Sequence, residues 1–225
     1  MATTLLLDQG VEIPAIGDLA DFRRWALSDD FPQRGRIDYV AGRIEVDLSP
    51  EDLFTHGTLK AEIAVRIAVR VGELDLGHTV IAETRISSAA GDVSAEPDVV
   101  VMTYAAVDDG RVRFVPKASG EPDRYVEVEG GPDLIVEILS DSSEKKDLRR
   151  LPVAYFKAGV RELWLVDARG PELRFQIHAR GTEAFVPVDV DAEGAQHSDV
   201  LQARYSLERS RHARGHWIYR LRRTS

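Results

Sequence analysis

The chain has 225 residues, 44% of them hydrophobic, carries a formal charge of −9 and contains no cysteine. Such a length buries a substantial core, and the lack of cysteine excludes disulfides, thiolate metal ligands and cysteine nucleophiles, so any metal must be held by oxygen or imidazole. No run of about 18 apolar residues occurs and the leucines at 5–7 are too few for a signal peptide, so the expectation is a cytoplasmic protein with no membrane partner.

The first 34 residues read as a helical extension, residues 35–180 as a core domain, and 181–225 as strands with a basic tail packed on that core. Over 18–28, Leu19, Phe22, Trp25 and Ala26 fall on one helical face, and Asp18 is placed to cap it. Residues 36–48 hold two alternating runs split by Ala41-Gly42, the pattern of a β-hairpin. From Thr55 to Val71, Leu59, Ile63, Ala64, Ile67, Ala68 and Val71 recur at helical spacing, with Lys60, Glu62, Arg66 and Arg70 on other faces. Glu62 is six residues beyond His56, which turns it away from the His56 face.

Residues 79–87 read as one strand, followed by an acid-bearing strand at 97–102. The glycines and prolines between 105 and 131 predict a loop containing a short strand at 112–114. A second acid-bearing strand covers 133–139. A helix ending at Gly159 and an apolar strand at 162–167 complete a strand–helix–strand crossover between parallel strands. Pro152 is tolerated only in a first helical turn, which sets the helix start near 147–150 and makes Asp147 a candidate N-cap. Residues 173–178 and 184–188 read as hairpin strands, and 216–221 as a final strand. The fold class is α/β, a mixed sheet flanked by helices.

The tail is a basic island: residues 204–225 hold seven arginines against Glu208, a segment charge of +6 that leaves −15 for the rest. Either it is a solvated end flanking the last strand, or a phosphate-contacting arm in which Arg alternates with Trp217 and Tyr219.

Asp98 and Glu137 both sit in aliphatic strand patterns, where a carboxylate is costly without compensation. If the two strands are neighbours, the pair suits one hard divalent cation with water and phosphate; otherwise these are structural acids paired with arginine or capping backbone. Taken in order, PDVVVM, DLIVEILSDSS and AYFKAGVRELWLVD, with GRIEVDLSPEDLFTHGTLKAEIA upstream, resemble the Uma-type restriction endonuclease family within the PD-(D/E)XK nuclease superfamily. The resemblance covers about residues 35–180. It implies a restriction-endonuclease-like core, Mg²⁺ with Mn²⁺ as a substitute, DNA as substrate, and a homodimer where both strands are cut.

Carried over by position, Asp98 and Glu137 are the metal-binding acids, and Glu83 is an auxiliary acid for metal or water unless it merely pairs with Arg85. His56 is a phosphate contact or proton relay unless it only supports the helix start. The motif lysine is missing: the third position of Glu137-Ile138-Leu139 is leucine, and so is position 151, where the family often carries a lysine. Among Lys145, Lys146, Arg149 and Arg150, Lys146 is the candidate for the transition-state cation, with Asp147 as its partner if it is not a cap. The expected activity is metal-dependent hydrolysis of DNA phosphodiester bonds. Two alternatives remain: a weakened nuclease core that binds nucleic acid or regulates, and a hydrolase of small phosphodiesters.

Overall fold

The computed structural model describes residues 5–6, 12–32, 35–81, 83–141 and 146–224. In chain order its elements are β1 (Leu5–Leu6), β2 (Glu12–Ile13), α1 (Leu19–Ala26), β3 (Arg36–Val40), β4 (Arg43–Asp47), α2 (Thr58–Glu73), β5 (Gly77–Ile81), β6 (Arg85–Ser88), β7 (Val93–Ala95), β8 (Val99–Thr103), α3 (Tyr104–Asp108), β9 (Val112–Pro116), β10 (Tyr125–Gly130), β11 (Leu134–Ile138), α4 (Leu151–Ala158), β12 (Glu162–Asp167), β13 (Arg174–Arg180), β14 (Phe185–Pro187), β15 (Gln196–Ser198), β16 (Ala203–Arg211) and β17 (Trp217–Thr224). Wide five-residue turns, Leu53–Gly57 and Lys146–Arg150, lead into α2 and α4. No helix among the described residues is long and apolar enough to cross a membrane.

Two six-stranded sheets carry the fold, in the orders β4-β3-β7-β6-β10-β9 and β14-β13-β12-β11-β8-β5, with β15-β16-β17 as a smaller third sheet. Period-two alternation sorts the second sheet's residues by face. Val99, Val101, Leu134, Val136 and Ile138 pack on Leu59, Ile63 and Ile67 of α2 and on Tyr205 and Leu221 of the C-terminal hairpin. On the opposite face Ile135 and Leu163 meet Leu151, Ala154 and Tyr155 of α4 together with Val40 and Val93 of the first sheet, while Val100 and Met102 meet Ile86 and Val128. The first sheet and α4 thus cover one side of the central strands, and α2 covers the other. Asp98 and Glu137 share the parity of Val100 and Ile135, so their side chains start toward the space between the sheets.

The mixed α/β architecture matches the expectation, and its crossover is as read: β11 and β12 pair in parallel, Leu134 with Glu162 through Ile138 with Val166. Gly159 ends α4 at φ 98°, a left-handed conformation that costs glycine least. Asp18 caps α1 by accepting the Asp21 amide at 2.9 Å, and Ala41-Gly42, both at positive φ, form the tight turn of the β3–β4 hairpin. Ala68, placed on the apolar face of α2 by spacing, is exposed.

Other expectations are corrected. The single strand at 79–87 is two strands in different sheets, broken where Glu83 takes a left-handed φ of 56°. The loop at 105–131 contains α3 and an antiparallel β9–β10 pair, because the alternating Tyr125–Gly130 segment also gains a parallel partner in β6. Asp147 does not cap α4. It is buried in the wide turn, and the capping position belongs to Arg150, which makes no side-chain cap bond. Glu62 accepts the Leu221 amide at 3.1 Å and ties α2 to the last hairpin.

The basic tail is engaged within the fold. Arg222 pairs with Glu208, Arg223 with Glu73 and Arg204 with Asp191; Arg209 donates to the carbonyls of Ala168, Gly170 and Pro171, and both Arg209 and Arg211 stack over Trp217. The attachment of the C-terminal segment also depends on Glu162, 2% exposed, which accepts from Ser198 Oγ at 2.6 Å, Trp164 Nε1 at 2.7 Å and the Asp199 amide at 3.0 Å. Glu162→Ala strands these buried donors and is expected to destabilise the protein by about 2–4 kcal/mol, read as a lower urea midpoint at unchanged slope.

Candidate active site

Antiparallel pairing of β8 and β11 places Val99 opposite Val136, and one further step sets Asp98 across from Glu137. The Ile138 amide donates to Asp98 Oδ2 at 2.8 Å. Asp98 is 0% and Glu137 1% exposed. Around Asp98 stand Arg36 Nη2 of β3, 3.1 Å from Oδ1, Lys60 Nζ of α2, 3.6 Å from Oδ1, and His56 Nε2, 3.5 Å from Oδ2. Burial alone would raise the Asp98 pKa, but the His56 hydrogen bond, the Arg36 charge and the Ile138 amide outweigh it and hold the group well below the usual carboxylate range.

Glu137 has the opposite character. Burial first, then the charges of Asp147 and Asp98, pushes its pKa well above the usual carboxylate value. Its Oε1 accepts the Tyr155 hydroxyl at 2.6 Å, while Oε2 is buried with no hydrogen-bond partner. The two adjacent carboxyls thus have oppositely displaced pKa values, a pattern that concentrates at functional sites.

Lys146 lies in the same polar core. Its ammonium donates to Asp38 Oδ2 at 2.7 Å and is 3.9 Å from Asp147 Oδ1. Asp38 also accepts the Glu96 amide at 3.1 Å, and Glu96 is ion-paired with Arg85. Lys145 lies outside the described residues.

A cleft of about 650 Å³ opens beside this core, lined by residues that include Arg36, Glu51, His56, Lys60, Glu83 and Arg169. Three of the lining residues, Arg36, His56 and Lys60, stand over Asp98, and Glu137 lies next to it across the strand pair. Glu83 stands at the rim, exposed, in the break between β5 and β6. Of the residues singled out from the sequence, Asp98, Glu137, His56 and Lys146 therefore come together, and Glu83 stays at the cleft mouth.

His56 decides how well the group fits a cation. Its Nε2 faces two acceptors, the Ile138 carbonyl at 3.1 Å and Asp98, so Nε2 carries the hydrogen. Nδ1 then points a lone pair toward Glu51 Oε1 at 3.4 Å and has no hydrogen-bond partner. Two acceptors facing each other call for a proton or a cation near them. Burial would lower the His56 pKa, but the hydrogen bond and charge of Asp98 raise it. Glu51, His56 and Asp98 each offer one ligand atom within 4.8 Å of the others, the described group that fits a metal ion. A donor set of one imidazole and two carboxylates suits a first-row divalent ion.

Arg36, Asp38, Glu51, Lys60 and Tyr155 were not singled out from the sequence. Asp38 carried the signal used for Glu137, an acid among strand residues Ile37, Tyr39 and Val40. Lys60, four residues beyond His56, was legible as a neighbour on the same helical face. Glu51, in the stretch between β4 and α2, carried none.

A family model described as "Uma2: Putative restriction endonuclease" matches residues 19–209. The chain belongs to the Uma2 family. No curated protein matches it. Among solved structures, a "putative nuclease belonging to DUF820" from Anabaena variabilis ATCC 29413 aligns with a TM-score of 0.61 at 20% identity, covering 83% of this chain and 92% of that one. At such identity the likeness speaks for the fold, and the Uma2 match for membership. The Uma2 match runs from the start of α1 into β16 and so includes every residue of the site.

Proposed function

We propose that this Uma2 protein is a metal-dependent endonuclease that hydrolyses phosphodiester bonds in DNA. The observation that carries the reading is the convergence of Asp98 and Glu137, across one strand pair, beside a cleft whose wall presents Glu51 and His56. Asp98, Glu51 and the Nδ1 of His56 would hold a divalent ion, with Mn²⁺ better matched than Mg²⁺ to a set containing imidazole. Such an ion supplies Lewis acidity toward the phosphate and a lowered pKa for attacking water.

The protein's own residues do the remaining work. The Ile138 carbonyl fixes the tautomer of His56 by receiving Nε2–H, an outer contact that orients a ligand ring. Glu137, protonated because burial and the charges of Asp147 and Asp98 disfavour its ionised form, and bonded to Tyr155, stands next to Asp98 as a store for a proton. Lys146 balances Asp38 and Asp147 and keeps that charged group compact. Arg36, in the cleft lining, is placed to meet a phosphate oxygen. Glu83, exposed in the cleft lining, would be an auxiliary acid for the metal or for water.

One observation favours a second reading, a nucleic-acid-binding or regulatory protein on a weakened nuclease core: both central carboxyls are sealed from the cleft, and Asp98 is paired with Arg36. The two readings separate on supercoiled plasmid incubated with Mn²⁺, Mg²⁺ or EDTA. Endonuclease action predicts nicked circles with either ion, faster with Mn²⁺, and none with EDTA. Binding without nicking under all three conditions supports the second reading.

A further inference from the structure

Lys60 pairs with Glu51 and lies 3.6 Å from Asp98 Oδ1, so its ammonium sits between the two carboxylates of the Glu51–His56–Asp98 group. That is the place a divalent ion held by this group would take. A separate feature calls for a proton or a cation beside Glu51. His56, 5% exposed, turns an unpartnered Nδ1 toward Glu51 at 3.4 Å.

Lys60 also has somewhere to go. Its side chain is 14% exposed and lines the cleft, whereas the Lys146 side chain is 6% exposed and bonded to Asp38. The four-carbon stem of a lysine, rooted in the first turn of α2, lets the ammonium leave the carboxylates and reach the cleft while the helix stays in place.

We propose that Lys60 is a two-position cation: it holds the metal site closed by bridging Glu51 and Asp98, and on metal entry it turns into the cleft and contacts the scissile phosphate. In that second position it does the work of the lysine absent at 139 and 151. The proposal rests on the nuclease reading for its phosphate contact, but its displacement by metal stands without any substrate.

The test is Lys60→Gln, with Lys60→Arg as the charge-retaining control, in two measurements on the full chain. Calorimetric titration with Mn²⁺ alone is expected to show Lys60→Gln binding at least about tenfold tighter than wild type, because a competing charge about 4 Å away is gone. Lys60→Arg should bind near the wild-type affinity. At saturating Mn²⁺, nicking of supercoiled plasmid by Lys60→Gln should fall about 10²–10³-fold in kcat, and Lys60→Arg should recover part of the loss. A purely structural lysine would lower affinity and activity together.

Mn²⁺ affinity unchanged or weakened in Lys60→Gln overturns the displacement, and wild-type nicking by that variant overturns the phosphate contact. If wild-type protein nicks no DNA while Lys60→Gln still takes Mn²⁺ more tightly, the nuclease reading and the phosphate contact fail and the displacement is supported.

Discussion

Asp98→Ala is expected to lose stability and cleavage at once. The substitution leaves Arg36 without its buried partner and deprives the Ile138 amide of its acceptor, and breaking one side of a buried ion pair costs about 3–5 kcal/mol. For a chain of this size each kcal/mol lowers the melting temperature by about 2–4 °C. Nicking should fall at least about 10³-fold, because under the proposed mechanism Asp98 would be a metal ligand. Asp98→Asn separates the two effects in part: its carbonyl oxygen still accepts the Ile138 amide, so it should regain part of the stability and none of the nicking. The checks are a urea midpoint and a plasmid assay on the same preparations.

Glu137→Gln is expected to move stability and activity in opposite directions. The wild-type side chain is fully buried, has an unpartnered Oε2 and stands among the charges of Asp98 and Asp147, which is why its pKa lies well above the ordinary 4.5. Because the folded-state pKa is the higher one, the folded protein retains a proton that the unfolded chain releases, and wild-type stability falls as pH rises from about 4.5 through the folded value. Glutamine does not titrate, and its amide presents a donor to the surrounding acids. The variant should therefore melt higher than wild type in EDTA at pH 8, by about 1–3 kcal/mol equivalent. The gap should close toward pH 4, as melts across that range will show. With no ionisable group at 137, nicking should be lost.

The central strands were legible because the apolar runs at 99–102, 134–139 and 162–166 are too continuous for surface segments, and the acids inside them stood out by their desolvation cost. The crossover followed from Gly159 and Pro152, whose backbone limits fix the ends of one helix. The break between β5 and β6 was not legible. Thr79 to Ser87 has uninterrupted strand composition, and the left-handed turn at Glu83 is imposed by the two sheets rather than by a glycine. The glycines and prolines near 105–131 suggested a loop, yet the alternating 125–130 run forms a strand once β6 offers a partner.

The site shows the same divide between local and long-range information. Asp98, Glu137 and His56 were marked by motif and setting, and Lys146 by its position just before Asp147, within reach of the strand ends. The pairing of Arg36 with Asp98 and of Lys146 with Asp38 joins residues 62 and 108 positions apart. Such contacts are products of the two-sheet packing, and no local pattern announces them. That packing also determines that Lys60, rather than a strand lysine, lines the cleft.

The measurement closest to the centre of the account is conversion of supercoiled plasmid to nicked circles in Mn²⁺ by wild type and Glu137→Gln, each shown to be folded by its melting curve. Wild type should cut and the better-folded Glu137→Gln should not, which would place the chemistry at the Asp98–Glu137 pair and leave misfolding no part in the loss. Equal cutting by the two proteins, or no cutting by wild type with either Mn²⁺ or Mg²⁺, would contradict it.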